Sequence, residues 1–254
     1  FIFISQCFAL NHQKLEFEIC NLWFLPQIAA TDFNERLVNI QKVIENSSSD
    51  FFLFEEVWDP LAYKELKNSK YPFILPQNNY MSYSRRGGLL YMGNLMPHFH
   101  EYYPFRAKGF RADWWGKGFQ FLCFDTYELC IYHTHLQSHQ NEHASYVRVK
   151  QLFQIWNHYK MFKQYFKNFT FLLMGDLNIL WNSNEYNFWI PNHFHDLFPT
   201  HFTWNNNVNF KQNNIYMTTR NNNPKRLPKR LPKRLDHIFQ FHNHLNKNIT
   251  IRSE

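Results

Sequence analysis

The chain has 254 residues, 44% of them hydrophobic, enough to bury a sizeable core in one domain, and nothing in the composition demands two. A net charge of +7 would point to nucleic acid or an acidic membrane surface, but six basic residues (Lys225, Arg226, Lys229, Arg230, Lys233 and Arg234) lie in a Pro-Lys-Arg-Leu unit repeated three times over 224–235, and 7 − 6 leaves +1 for the rest. That remainder argues against a surface that tracks phosphates. The cysteines (Cys7, Cys20, Cys123, Cys130) lack zinc spacing, and no apolar run reaches the roughly 18 to 20 residues of a membrane-spanning helix.

In chain order, the opening FIFISQCFAL has the length of a signal-peptide core but neither its charged start nor a clear cleavage site. Leu15 to Cys20 reads as a strand. Asn34 to Glu45 carries Leu37, Ile40, Val43 and Ile44 at the spacing of an amphipathic helix, and Asp50 to Val57 is apolar enough for a buried strand. Gly88 to Met92, Phe119 to Phe124 and Leu129 to Thr134 are further strands. A long helix is expected over Glu142 to Phe166, with Val147, Leu152, Ile155 and Trp156 inward. A buried strand from Phe169 to Met174 leads into Gly175-Asp176, and His201 to Trp204 and Leu235 to Phe241 close the pattern. Strands interspersed with helices predict a layered α/β protein. The cysteines read as buried thiols, with a Cys123–Cys130 pairing left open for a secreted protein.

The polar residues of interest fall at strand ends, where loops gather them over one sheet edge. Glu56 closes the apolar run Phe51-Phe52-Leu53-Phe54, a costly place for a carboxylate unless something binds it. Gly175-Asp176-Leu177-Asn178 sets Asp and Asn two residues apart on a tight turn, suited to holding a water and donating to a phosphate. Asn21 and His135 each follow a strand. Singly, these residues read equally well as a solvated glutamate, an Asx turn, a turn asparagine and a structural histidine.

Their order is more specific. Asn21, Glu56, Thr134-His135-Leu136, Gly175-Asp176-Leu177-Asn178 and Arg234-Leu235-Asp236 occur in the order shown by the endonuclease/exonuclease/phosphatase superfamily, which the chain resembles over nearly its whole length. Asn21-Leu22-Trp23 with Leu25-Pro26, Glu55-Glu56-Val57-Trp58 and Asp113-Trp114-Trp115-Gly116-Lys117 are most similar to segments of the neutral sphingomyelinases, and Gly87 to Leu90, Arg148 and Gln151 also fall where that family has similar residues. The resemblance implies a four-layered α/β sandwich of two mixed sheets flanked by helices. It also implies cleavage of sphingomyelin to ceramide and phosphocholine with Mg²⁺, or Mn²⁺ in its place. Glu56 would hold the metal with Asn21 supporting it, His135 and Asn178 would bind phosphate, and Asp176 would position water. Asp113, Trp114, Trp115 and Lys117 would meet substrate or the membrane interface, where indole rings are at home. The expected partners are a phospholipid surface and sphingomyelin, reached by a secreted or membrane-delivered monomer. The alternatives are a DNase-like or abasic-site nuclease on the same scaffold and a non-catalytic membrane-binding remnant.

The resemblance stops at the C-terminal end. Family members have an Arg-Leu-Asp strand, whose aspartate (Asp236 here) would be catalytic by orienting the histidine, and then a Ser-Asp-His that supplies that histidine as general base. Arg234-Leu235 before Asp236 and Ile238-Phe239 after His237 identify this segment as the first of these, and no Asp-His follows before Glu254. The expectation is one domain over 1–254, incomplete at its C-terminus, lacking a proton acceptor typically worth about 10²- to 10⁴-fold in rate. A final core strand would be missing too, leaving a neighbouring edge unpaired.

Overall fold

Apolar strands, the central ones buried on both faces, build two sheets. The computed structural model describes residues 4–10, 13–24, 32–76, 87–107, 109, 116–197, 236–242 and 250–253. The first sheet contains β1 (Ile4–Leu10), β2 (Gln13–Phe24), β3 (Phe51–Val57), β4 (Phe73–Pro76), β5 (Leu90–Gly93) and, from the far end of the chain, β12 (Thr250–Ser253), in the order β12-β1-β2-β3-β5-β4. The second contains β6 (Phe99–Pro104), β7 (Gly118–Phe124), β8 (Leu129–Thr134), β9 (Thr170–Asp176), β10 (Phe194–Asp196) and β11 (Asp236–Phe241), in the order β10-β11-β9-β8-β7-β6. Both are mixed: β2–β3 and β8–β9 run parallel, the other pairs antiparallel.

Successive strand residues face opposite ways, and β3 shows what each side meets. Phe51 and Leu53 join Leu15, Phe17 and Tyr91 against Ile131, Leu172, Met174 and Ile238 of the second sheet. Phe52 and Phe54 face the other way, onto Phe33, Leu37, Ile40 and Ile44 of α1 (Phe33–Asn46). On the second sheet, Phe121, Tyr132, Phe171, Phe239 and Phe241 lie under α3 (Glu142–Phe162) and α4 (Asn184–His193), which bury Leu152, Ile155, Tyr159, Trp189 and Ile190 there. The layers are helix, sheet, sheet, helix, the sandwich expected from sequence.

Several boundaries differ from expectation. The opening apolar run forms a strand from Ile4, paired with β2 from Ile4–Ile19 to Leu10–Gln13. The α3 helix stops at Phe162, four residues early, and Trp156 is only partly buried while Arg148, Gln151 and His158 are buried. A short helix, α2 (Pro60–Leu66), is capped by the Asp59 carboxylate accepting from Leu61 N at 2.8 Å. The first sheet does not end at a bare β1: β12 pairs with it, Ala9 opposite Thr250 and Gln6 opposite Ser253, so the missing-strand expectation is corrected. Cys123 and Cys130 face each other across β7 and β8 and form a disulfide, whereas Cys20 is a buried thiol as expected. His201 to Trp204 and the 224–235 repeat lie outside the described residues. No helix among the described residues is long and apolar enough to cross a membrane.

Candidate functional site

Local backbone irregularities aim the site residues. The β2–β3 register slips between Asn21 and Phe24, Trp23 takes φ 49°, and its N–H donates to Asn21 Oδ1 at 3.1 Å. Such a bulge redirects a side chain at a strand end, and here it fixes the amide with its nitrogen outward. Glu56 has φ 56°, which breaks the alternation of β3 after Glu55. Gly88 supports that turn: a Cβ there would come within 3.0 Å of the Trp58 ring and 3.2 Å of Glu56 Cα. Asn178, at φ 53°, closes a turn in which its N–H donates to Asp176 Oδ1 at 3.0 Å. Three of the six non-glycine residues with positive φ among the described residues thus belong to this site, a concentration of backbone strain typical of functional positions.

The sheets meet on one amide. Asn21 Nδ2 donates to Glu56 Oε1 at 2.9 Å and to Asp176 Oδ2 at 3.2 Å. His135 Nε2 stands 3.8 Å from each of those same oxygens. On the other side of Asp176, Lys117 Nζ and Asn178 Nδ2 both donate to Leu136 O, at 2.7 and 3.3 Å. Asn21, Glu56, His135, Asp176, Asn178 and Lys117, all singled out from sequence, therefore converge. Asp113, Trp114 and Trp115 lie outside the described residues.

Burial dominates the electrostatics. The Glu56 and Asp176 side chains are 17% and 12% exposed. Burial holds both carboxyls above their usual range, against the pull of Lys117 and the Asn21 amide, and the neighbouring Asp176 charge raises Glu56 further. Burial, then Lys117 and His133, push His135 well below an ordinary imidazole, so it is neutral at neutral pH, and its Nδ1 is buried without a hydrogen-bond partner. Two desolvated carboxylates whose ionised forms are disfavoured constitute a place where a cation is strongly stabilised.

A second layer holds the loop after His135. Arg148 donates to Gln137 O at 2.9 Å and His139 O at 2.6 Å while gripping the Glu185 carboxylate. Gln151 Oε1 accepts from Gln137 N at 2.9 Å, and Gln140 Nε2 donates to Asn178 O at 2.8 Å. Glu55, adjacent to Glu56, turns between the sheets to His133 Nε2 at 3.1 Å, and His133 Nδ1 lies 3.0 Å from Gln120 Oε1. Neither Glu55 nor this pairing was expected from sequence. Asp236 stands opposite Asp176 in the β11–β9 register. His237 is buried beside Tyr186 and Phe239 and donates from Nε2 to Ile179 O at 2.8 Å.

Among the described residues no group of three or more His, Cys, Asp and Glu is gathered closely enough to hold a metal unaided. Mg²⁺ does not need such a cluster, since it commonly uses one or two carboxylates plus waters. Glu56 Oε1 and Asp176 Oδ2 converge on one amide nitrogen and supply the hard oxygen donors that ion takes.

Solved structures with the same architecture include sphingomyelinase C from Streptomyces griseocarneus, 18% identical with a TM-score of 0.71, covering 91% of this chain and 85% of that one. A doubly substituted beta toxin from Staphylococcus aureus with bound magnesium ions is 18% identical with a TM-score of 0.66 over 95% and 85%. TDP2 from C. elegans is 16% identical with a TM-score of 0.62 over 93% and 64%. No curated protein sequence matches the chain. The fold is that of a hydrolase superfamily with phosphodiesterase members. With a family match running over residues 20–247, the chain belongs to the Endonuclease/Exonuclease/phosphatase family.

Proposed function

We propose that the chain is a Mg²⁺-dependent phosphodiesterase that hydrolyses sphingomyelin to ceramide and phosphocholine at a membrane surface. One observation carries the chemistry: the Asn21 amide gathers the Glu56 and Asp176 carboxylates, one from each sheet, beside His135, Asn178 and Lys117. Three observations favour sphingomyelin over nucleic acid: the Asp113-Trp114-Trp115-Gly116-Lys117 segment, a charge of only +1 outside 224–235, and a sphingomyelinase among the similar structures. The Cys123–Cys130 disulfide agrees with delivery to an oxidising compartment.

Glu56, with Asp176 beside it, would hold the ion, which offsets charge developing on the phosphate. Asp176 would orient the attacking water and accept its proton as the new P–O bond forms and the bond to the ceramide oxygen breaks, that oxygen taking a proton from solvent as it leaves. Asn178 and Lys117, which both donate to Leu136 O, would turn to phosphate oxygens, and neutral His135 keeps one N–H to give.

The test is phosphocholine release from sphingomyelin vesicles with Mg²⁺ and with chelator, for the chain and for its Glu56→Ala variant. Release should require Mg²⁺ and vanish in Glu56→Ala. No release from the chain, or faster nicking of plasmid DNA than lipid turnover, would overturn the proposal.

A further inference from the structure

We propose that a groove on the outer helical layer, apart from the site above, binds one molecule of a single-chain anionic amphiphile, of the fatty-acid or alkyl-phosphate class. The groove has a volume of about 740 Å³, within the range of small-ligand sites. Its apolar lining comes from Tyr103 on β6, Phe119 on β7, and Phe153 and Met161 on α3. Phe153 and Met161 are 51% and 56% exposed, apolar surface that an acyl chain would cover.

The charges on the groove are of one sign. Arg106 and Lys150 line it, no acidic residue among the described residues does, and the amides of Gln154 and Asn157 complete the polar lining. Its wall is tied down: Gln154 Oε1 accepts from Arg106 N and its Nε2 donates to Pro104 O, both at 2.9 Å. His158 adds no charge to the floor. Its ring stacks on Phe162 with centroids 4.1 Å apart, its Nδ1 lies 3.0 Å from the Tyr132 hydroxyl, and burial pushes it down to about 4. Lys150 Nζ also lies 4.4 Å from the centroid of the neighbouring Tyr146 ring, and an apolar lining that carries two cations matches an apolar tail with one anionic head. A concave space of this size suits a single molecule better than the flat face of a bilayer. The groove also communicates with the loop after His135, because Gln151 donates to Ala107 O on its wall at 3.4 Å and accepts from Gln137 N.

The inference is independent of the proposed activity and is tested without it. Isothermal titration calorimetry of the full chain would compare dodecanoate below its micelle concentration, dodecyltrimethylammonium, dodecyl maltoside and phosphatidylglycerol vesicles. Dodecanoate should bind one to one, more tightly than the cationic and neutral probes. Affinity should fall about tenfold in Arg106→Glu and in Lys150→Glu, the loss of one charge-assisted contact. Met161→Asp, a change at a half-exposed position, should weaken binding as well, with thermal melting to confirm that each variant folds. Equal binding of dodecyltrimethylammonium, indifference to both charge reversals, binding to vesicles alone, or a dimer that Met161→Asp dissociates would each overturn the assignment.

Discussion

Replacing Glu55 by Gln should flatten the pH dependence of stability above neutrality. Gln120 gives its amide nitrogen to Leu75 O at 3.0 Å, so its oxygen faces His133 Nδ1, which must carry hydrogen. The 3.1 Å contact between His133 Nε2 and Glu55 Oε1, with both side chains fully buried, then needs one further proton on one atom or the other. Burial pushes His133 down to about 3, which favours the neutral imidazole, but the proton count of the pair is the same either way. In the unfolded chain, with ordinary values of about 4.3 and 6.5, the two groups hold one proton between those pH values and none above. Folding therefore takes up a proton above about pH 6.5. The stability it brings is complete below that value and falls as pH rises, by about 1.36 kcal/mol per unit.

From pH 7 to 9 the loss comes to at most about 2.5 kcal/mol, reached when the folded pair holds its proton throughout and allowing for residual protonation of the unfolded imidazole at pH 7. For a chain of this length that is about 5–10 °C in melting temperature. A glutamine amide can donate to the same imidazole nitrogen and does not titrate. Urea unfolding followed by tryptophan fluorescence at pH 7, 8 and 9 should thus show the Glu55→Gln slope shallower by up to about 2.5 kcal/mol over the range. Parallel slopes for the two proteins would refute the shared proton.

Gly175→Ala should cost about 3–5 kcal/mol, because its Cβ would lie 2.0 Å from Thr134 O and 2.9 Å from Glu55 Oε1 at φ +132°; denaturant unfolding reads this directly. Asn21→Asp adds a third carboxylate beside two that burial already holds above their usual range, so Mg²⁺ binding should be lost at a higher pH on acidification than in the natural protein, as calorimetry at several pH values would show. Cys130→Ser, which opens a disulfide spanning only seven positions, should cost about 2–3 kcal/mol and leave the β7–β8 pairing in place, measurable by melting and by amide exchange.

The parts legible in sequence are those whose burial is uniform or strictly periodic. α1 shows a helical stripe, and β3, β8 and β9 are continuous apolar runs buried on both faces. β4 and β6 are half-buried strands of mixed residues, and α4 carries Pro191 inside it, so none of these patterns announces its element. The site was legible as a set of residues, since each closes a recognisable strand or turn. Its geometry was not: alternation along β3 would place Glu55 and Glu56 on opposite faces, and only the positive φ of Glu56 brings its carboxylate over the sheet edge. Lys117 reads from sequence as a contact for substrate or membrane, and because β7 begins at the next residue its ammonium comes to the end of β8, where it donates to Leu136 O at 2.7 Å.

The convergence of Asn21 and Glu56 from one sheet with His135 and Asp176 from the other makes the site a gauge of how the two sheets are seated on each other. A slide of about 1 Å between them would cost little in the apolar layer, where contacts can be exchanged, but would pull the Asn21 amide off one of its carboxylates, and displacements of that size can cost about 10²-fold in rate. Trimming Leu53 or Met174, in the core shared by the two sheets and on the strands that end in the site, should therefore impair chemistry before it impairs folding. Pressure or cold, which loosen apolar contact first, should silence the protein while its strands remain paired.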